Sequence, residues 1–235
     1  MNNLFARPTK ITLTAYSSQP YLDTTTNPSF EITRRLPKTV THAGHLANLY
    51  AHPSSLPIDY HGCAKLIPKL LAERDYDIVL HIGLDVGNSF FHVEKGAEKE
   101  GYHQCPDDLK KVITKTQNKM MFGKAPTRLE SGFELDEVLE NWKSVDGAAE
   151  RVWSEGRTRG IDGCGKIVQD LRVTNDVGGH ICGFVYYTAL KWYWEREHRQ
   201  RVAFLHVPML EGQAQVAQGV DVVLRLIKAL CEHVD

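Results

Sequence analysis

Apolar residues fall into two nearly continuous runs, at 76–83 (YDIVLHIG) and 201–208 (RVAFLHVP). Parallel strands that are covered by helices on both faces lose the alternation of half-buried strands, so both runs predict buried strands. Residues 10–16 (KITLTAY) are rich in β-branched residues and precede a turn-forming SSQP, which predicts a first strand. Shorter strand-like stretches lie at 46–52, 90–97 and 171–176.

Other stretches repeat apolar residues every three or four positions, the spacing of a helix with one buried face. A further helix is predicted from Asn27, because asparagine is a favoured N-cap, Pro28 suits the first helical position, and Glu31 suits the positive helix end. The helices predicted from apolar spacing cover 59–73, 177–194 and 213–233, and a short exposed one covers 135–145.

Strands that alternate with helices indicate an α/β sandwich. The length of 235 residues and the 42% hydrophobic content fit one well-buried core, so we expect a single domain over 1–235. Residues 98–130 are polar and rich in lysine, and 154–166 are rich in glycine. We therefore expect 98–165 to form surface insertions and loops.

Charge patterning narrows the class of partner. The 28 basic residues nearly balance the 29 acidic ones, and neither sign gathers in a long block, which argues against nucleic-acid and membrane partners. No apolar run reaches the ~20 residues that cross a bilayer, and the first residues lack a secretory signal. We expect a cytoplasmic protein with a small partner.

The five cysteines are widely spaced and include no Cys-x-x-Cys pair, which favours free thiols over a disulfide framework. Three His-x-Cys pairs lack the tighter spacing of structural zinc sites, so no metal is expected. The loop at 83–89 (GLDVGNS) has two glycines but no third glycine and no following helix, so a nucleotide cofactor is not expected either.

Cys182 is the candidate nucleophile. It lies near the start of a predicted helix, with Asn175 or Asp176 as the N-cap. Free backbone amides and the helix dipole stabilise a thiolate there, so we expect a lowered pKa for this thiol. Gly178 and Gly179 leave the approach to the sulfur free of side chains.

A cysteine hydrolase also needs a base and a group that orients it. His206 lies near the end of a buried strand, and Glu94 lies among apolar residues of another. Each residue alone also fits a structural role, as a small core cysteine, a satisfied strand histidine or a solvated carboxylate. Their combination is what favours chemistry.

Four groups of residues follow one another in a fixed order: 27–31 (NPSFE), 81–94 (HIGLDVGNSFFHVE), 176–190 (DVGGHICGFVYYTAL) and 204–208 (FLHVP). Together they resemble the pyroglutamyl-peptidase I family of cysteine peptidases. The family's nucleophile motif is Asp-Ala-Gly-x-x-x-Cys followed by Tyr-Tyr-x-x-Leu, and its histidine lies in Phe-x-His-Val-Pro. The resemblance covers nearly the whole chain.

The resemblance implies a three-layer α/β/α sandwich with a mixed, mostly parallel sheet. It also implies a catalytic triad in which Cys182 attacks the acyl carbon, His206 carries the proton and Glu94 orients His206. The implied reaction removes an N-terminal pyroglutamyl residue from a peptide through an acyl-enzyme, without metal or cofactor. Backbone amides at the start of the Cys182 helix would stabilise the oxyanion.

The chain departs from the family pattern where the substrate would bind. Gln19 replaces the second aromatic residue of the first loop, and Asn88 replaces an arginine. These changes leave open a diverged amidase that acts on another cyclic amide, or a non-catalytic binding protein. The oligomeric state is also left open. The substrate-binding residues implied by the resemblance are Tyr16, Gln19, Gly83, Leu84, Asn88 and Ile181.

Overall fold

The structure is a computed structural model that describes residues 7–16, 27–145, 170–196 and 198–234. The strands are β1 (Thr9–Ala15), β2 (Thr39–His42), β3 (His45–Ala51), β4 (Ile78–Leu84), β5 (Phe91–Glu94), β6 (Gly96–Glu98), β7 (Arg128–Glu130), β8 (Leu171–Thr174) and β9 (Val202–Val207). The helices are α1 (Pro28–Thr33), α2 (Tyr60–Ala72), α3 (Lys115–Phe122), α4 (Leu135–Ser144), α5 (Ile181–Trp194) and α6 (Gly212–Cys231).

Seven strands form one central sheet in the order β2-β3-β1-β4-β9-β5-β8. The pairs β1–β3, β1–β4, β4–β9 and β5–β8 are parallel, whereas β2–β3 and β5–β9 are antiparallel. Strands β6 and β7 form a separate antiparallel pair. The predicted mixed, mostly parallel sheet is therefore confirmed.

Helices cover both faces of the sheet. Helices α1, α4 and α6 enclose one apolar cluster with residues of β1, β4 and β9, whereas α2, α3 and α5 enclose a second cluster on the other face. The fully buried run of β9 contributes Leu205 to the first cluster and Phe204 to the second. The expected three-layer sandwich is confirmed.

Most predicted elements are present. Asn27 caps α1 by accepting a hydrogen bond from the Ser29 amide, and Pro28 occupies the first turn, as predicted. The strand expected over 90–97 is two strands, since β5 pairs within the main sheet and β6 pairs with β7 after a break at Lys95. The edge strand β2 was not predicted, because its four residues carry little apolar pattern.

The expectation of surface loops over 98–165 is wrong for the described part, which ends at residue 145. Residues in this part enter the core, including Tyr102, Ile113, Phe122 and Leu129. Helix α4 was expected to be exposed, but it buries Trp142, whose indole N–H donates to the Val222 carbonyl at 2.9 Å. Residues 146–165 lie outside the described residues.

Among the residues that the structure describes, no helix combines the length and apolar character needed to cross a bilayer.

Candidate active site

Three neighbouring strands place the candidate residues side by side. Gly83 of β4 pairs with His206 of β9, and His206 pairs on its other side with His92 of β5. Successive strand residues point to opposite faces, so Glu94, two residues after His92, lies on the same face. Helix α5, which carries Cys182, covers this face.

Glu94 and His206 form a buried hydrogen-bonded pair. The His206 Nδ1 atom donates to Glu94 Oε1 at 2.8 Å, and the exposed fractions of the two residues are 5% and 0%. The other carboxylate oxygen accepts from the Thr174 hydroxyl at 2.9 Å, and the Tyr186 hydroxyl donates to the Glu94 carbonyl at 2.9 Å. Because Nδ1 is engaged, Nε2 is the His206 nitrogen that remains available for a reacting proton.

The Glu94 carboxylate is ionised at neutral pH. Burial raises the pKa of this group, but hydrogen bonds from His206 and His92 outweigh it and lower the pKa to about 2. A carboxylate that is held ionised beside His206 can stabilise positive charge on that imidazole when it accepts a proton.

Cys182 is the second residue of α5, closer to the helix start than predicted. The predicted start at Val177 is wrong, since His180 occupies the N-cap position and α5 begins at Ile181. Asp176 accepts from the Gly178 amide at 3.0 Å in a turn before the helix, where Gly178 has a φ of +82°. This left-handed residue prevents the helix from starting earlier.

Asn175 is also not the cap, because its side chain accepts a hydrogen bond from Arg128. A Cβ atom at Gly178 or Gly179 would meet no heavy atom within 4 Å, so the space before the helix is open, as predicted. At Gly183, in contrast, a Cβ would collide with the Gly178 carbonyl. Glycine is therefore required there for the turn to pack against the first turn of α5.

The thiol of Cys182 lies against β4. A Cβ atom built at Gly83 would be 3.2 Å from Cys182 Sγ and 3.0 Å from the ring of Phe204. Because Gly83 pairs with His206, the sulfur lies beside the strand position that neighbours the base. The absence of a side chain at Gly83 makes room for the thiol.

The expected lowering of the Cys182 pKa is wrong. Burial raises the pKa of the thiol to about 12; the Tyr16 hydroxyl lowers it, and the nearby Glu94 and Asp85 carboxylates raise it. The helix start alone favoured a thiolate, whereas the tertiary structure shields the sulfur from much of the water and places negative charge near it. The resting thiol is therefore protonated, and attack requires a base.

The first turn of α5 offers backbone donors next to the sulfur. The first amides of a helix have no partner within it, and no side chain caps α5 at His180. The Phe184 amide is satisfied by the His180 carbonyl, which leaves the preceding amides as candidate donors. They are therefore candidate donors to an oxyanion formed by attack of Cys182.

The residues expected to bind substrate are distributed around this point. Tyr16 is buried below α5, and its hydroxyl donates to the Ile181 carbonyl at 3.3 Å. Leu84 is half-buried at the end of β4. The Asn88 amide donates to Asp85 Oδ2 at 2.6 Å, so that side chain is held by its own loop. Gln19 lies outside the described residues.

Three polar residues of the site were not identified from the sequence. His92, Asp85 and Thr174 form hydrogen bonds that continue from Glu94. One signal was available, since the alternation in FHVE places His92 and Glu94 on one strand face. The contributions of Asp85 and Thr174 depend on strand order, which the sequence pattern does not specify.

His92, Glu94 and His206 are the described residues whose ligand atoms lie close enough to one another, within 4.8 Å, to suggest a cation site. Their atoms are bonded to one another, however, with Glu94 Oε1 at 2.8 Å from His206 Nδ1 and 3.1 Å from His92 Nδ1. A cation there would have to displace these hydrogen bonds. We therefore assign no metal ligands here.

Replacement of Gly83 by alanine is expected to lower kcat by about 10²-fold, because the new methyl group would displace the thiol by a few tenths of an ångström or more. The measurement is steady-state hydrolysis of an acyl anilide together with the melting temperature. Gly132→Ala is the matched control, since its Cβ would meet Gln200 backbone at 3.0 Å near the opposite end of β9. Equal activity of the two variants would contradict this placement of the sulfur.

No protein-family model matches the chain. Among curated proteins, pyroglutamyl-peptidase 1 from Mus musculus is 26% identical over 177 residues, which are 75% of this chain and 70% of the relative. Pyrrolidone-carboxylate peptidase from Thermococcus onnurineus is 22% identical over 205 residues, 87% of this chain and 86% of that protein.

Solved structures show the same fold. The pyrrolidone carboxyl peptidase from Thermococcus litoralis superposes with a TM-score of 0.69 at 14% identity, covering 96% of this chain and 94% of that one. The corresponding enzyme from Fervidobacterium islandicum AW-1 gives a TM-score of 0.70 at 20% identity, with coverages of 95% and 99%. At these identities the likeness bears on the fold.

Proposed function

We propose that the chain belongs to the pyroglutamyl-peptidase I family and that it is a cysteine peptidase that removes an N-terminal pyroglutamyl residue from peptides. One observation supports the assignment most directly. The buried His206–Glu94 hydrogen bond of 2.8 Å lies next to the strand position over which the Cys182 sulfur sits. A base, the group that orients it and a nucleophile therefore share one face of the sheet.

The first chemical step joins Cys182 to the substrate. His206 Nε2 takes the proton of the thiol while Sγ forms a bond with the exocyclic carbonyl carbon of the pyroglutamyl residue. Since the raised pKa of Cys182 keeps the free thiol protonated, we expect proton transfer to accompany attack. Catalytic hydrogen bonds commonly tighten when substrate binds, which would bring Nε2 and the sulfur together.

The remaining steps use the same groups. The carbonyl oxygen becomes an oxyanion that the free amides of the first turn of α5 stabilise, a contribution of about 3 kcal/mol per donor in comparable sites. His206 then gives its proton to the departing amine as the C–N bond breaks, which leaves a thioester on Cys182. Water, deprotonated by His206, releases free pyroglutamate and the thiol. Glu94 remains ionised throughout.

The turn before α5 leaves room for a small acyl group. A Cβ atom at Gly178 or Gly179 would meet no heavy atom within 4 Å, Ile181 is a buried apolar residue at the start of α5, and Leu84 is half-buried at the end of β4. A five-membered lactam is flat and compact, and it has few polar atoms to satisfy. We propose that these residues form the walls of the lactam pocket.

The assay is hydrolysis of the coumarin amide of pyroglutamic acid by the purified protein, compared with the prolyl and glutaminyl amides. The prolyl compound lacks the lactam carbonyl and the glutaminyl compound lacks the ring. We expect kcat/KM to favour the pyroglutamyl compound by at least about 10²-fold, because each analogue would bring a protonated amine into an apolar pocket. Preference for the prolyl or glutaminyl compound, or no hydrolysis of any of the three, would reject the proposed substrate.

A further inference from the structure

His92 lies at the centre of the buried polar groups around Glu94. It is only 2% exposed, it faces His206 across the antiparallel β5–β9 pair, and the centroids of the two rings are 4.9 Å apart. The triad described above does not need it. A buried imidazole costs free energy unless its two nitrogens are hydrogen-bonded, so the partners of His92 define its protonation.

Thr174 determines whether His92 Nδ1 is protonated. Its hydroxyl hydrogen points to Glu94 Oε2 at 2.9 Å, because an ionised carboxylate can only accept. The Thr174 hydroxyl oxygen lies 2.7 Å from His92 Nδ1. Because its own hydrogen is directed at Glu94, this oxygen must accept a hydrogen from Nδ1. Nδ1 of His92 also lies 3.1 Å from Glu94 Oε1. Nδ1 is therefore protonated and directed at the Thr174–Glu94 pair.

Asp85 determines whether His92 Nε2 is protonated. Its Oδ2 atom lies 3.1 Å from His92 Nε2 and accepts from Asn88 at 2.6 Å, while Oδ1 accepts from the Gly87 amide at 2.8 Å. The two donors from Asn88 and Gly87 favour the ionised form of this carboxylate. A carboxylate in that form accepts, so Nε2 of His92 must donate as well.

From these contacts we propose that His92 is a positioning residue, a doubly protonated imidazolium clamped between Asp85 and the Thr174–Glu94 pair that fixes Glu94 for His206. The inference rests on the proposed function for its catalytic consequence. It assigns a role to Asp85 and Asn88 too, since the loop after β4 then anchors the clamp. His92 itself acts through Glu94 and does not contact the substrate.

The electrostatic surroundings support this state. The hydrogen bond from His92 lowers the pKa of Asp85. Burial raises this pKa, but by less, so the pKa stays well below its usual range. Burial lowers the pKa of His92, but the hydrogen bonds to Asp85 and Glu94 outweigh it and raise the pKa above its ordinary value. The charged or titratable groups that face His92 are Asp85 after β4, Glu94 on β5 and His206 on β9.

The neighbouring strand β8 carries one cation. Arg172 pairs with Asp170 at its own end of the strand, and its guanidinium lies 3.9 Å above the ring of Phe90. The clamp itself contains two carboxylates and one imidazolium, whose charges sum to one negative charge beside His206. Without His92, two uncompensated carboxylates would lie near the base and make its deprotonation harder.

The kinetic test compares His92→Asn, which retains a donor near the Nδ1 position, with His92→Gln, which retains one near Nε2. We expect both to lower kcat by about 10- to 100-fold with little change in KM, and His92→Asn to retain more activity because it can still hold Glu94. We also expect the acidic limb of kcat/KM to move to higher pH by about one unit. His42→Asn is the control. His42 lies at the end of the edge strand β2, and its Nε2 atom forms a hydrogen bond of 2.6 Å with Glu232 at the end of α6, on the other face of the sheet.

Unchanged kcat and an unchanged acidic limb in both His92 variants would overturn the proposal, and so would a loss of kcat without movement of the limb. Thr174→Val provides a second test if the His92 variants do not fold, because it removes only the hydroxyl between His92 and Glu94. We expect a smaller loss of kcat for this variant, and full activity would count against the clamp.

A spectroscopic test is independent of peptidase activity. Imidazole ¹⁵N spectra of the wild-type protein should show one histidine with both nitrogens protonated at about pH 8, absent in His92→Asn and titrating at lower pH in Asp85→Asn. A neutral His92 at neutral pH would overturn the proposal even if the enzyme is active. If no pyroglutamyl compound is cleaved but the doubly protonated signal is present, the proposed function fails while the clamp stands.

Discussion

Cys182→Ala is expected to reduce kcat/KM for the pyroglutamyl coumarin amide by about 10⁵-fold or more. Removal of the nucleophile from comparable acyl-transfer enzymes costs about this much, because the residual environment offers only binding and oxyanion stabilisation. The side chain is small and half-buried, so its truncation should lower the melting temperature only slightly. Rates and melting temperatures of the purified variant are the measurements.

Two controls make the loss at Cys182 specific. Cys105→Ala removes an exposed thiol and should leave kcat/KM unchanged. Cys182→Ser retains a hydroxyl in the same place, yet we expect a loss of similar size, because a serine hydroxyl is a much weaker nucleophile at neutral pH. Activity of Cys182→Ala within about tenfold of wild type would remove this residue from the mechanism.

Glu94→Gln is expected to lower kcat by about 10³- to 10⁴-fold with little change in KM. The uncharged amide cannot stabilise an imidazolium at His206, and it replaces one of the two acceptor oxygens that His206, His92 and Thr174 share by a donor. His206 would then lose the orientation that leaves Nε2 free for the thiol. Initial rates across a range of substrate concentrations separate the effects on kcat and KM.

Asp136→Asn is the matched control for Glu94→Gln. It makes the same change of acid to amide at an exposed side chain of α4, whose contact is an ion pair with Lys95 at 3.5 Å. Pairs of this kind contribute little to stability, so both kcat and the melting temperature should be unchanged. Full activity of Glu94→Gln would show that His206 is oriented by other groups.

Periodicity predicted the elements that carry the candidate site. The apolar runs that became β4 and β9 are fully buried apart from their ends, and such runs are recognisable without knowledge of the fold. The start of α1 was also predictable, since Asn27 caps the helix and Pro28 fits its first turn, and both act through local geometry. Cys182, Glu94 and His206 were chosen as a set because the motifs around them resemble those of the pyroglutamyl-peptidase I family; periodicity alone would not have selected them.

The start of α5 could not be predicted from apolar spacing alone. Val177 continues the helical pattern, but the left-handed backbone at Gly178 and the turn closed by Asp176 stop the helix from extending back to it. Glycine tolerates both helical and left-handed backbone, so the sequence is compatible with either start. The observed start at Ile181 brings the Gly178 carbonyl close to Gly183. This contact joins the turn to the first turn of the helix, and apolar spacing does not reveal it.

The electrostatics of the site depend on contacts between distant parts of the chain. The raised pKa of Cys182 follows from burial of the thiol against β4 and from the carboxylates of Glu94 on β5 and Asp85 after β4. The clamp around His92 needs β5 to lie between β8 and β9, with β9 antiparallel and β8 parallel to it. Strand order of this kind is set by the assembled sheet and leaves no mark on local hydrophobic pattern.

The role of Cys182 as the nucleophile is tested most directly by affinity labelling with a pyroglutamyl chloromethyl ketone, followed by peptide mapping. We expect one label per chain on Cys182, loss of activity in proportion to labelling, protection by a pyroglutamyl dipeptide, and slow labelling of Glu94→Gln. Inactivation with the label on Cys63, Cys105, Cys164 or Cys231, or complete labelling of Cys182 with retained activity, would contradict this role.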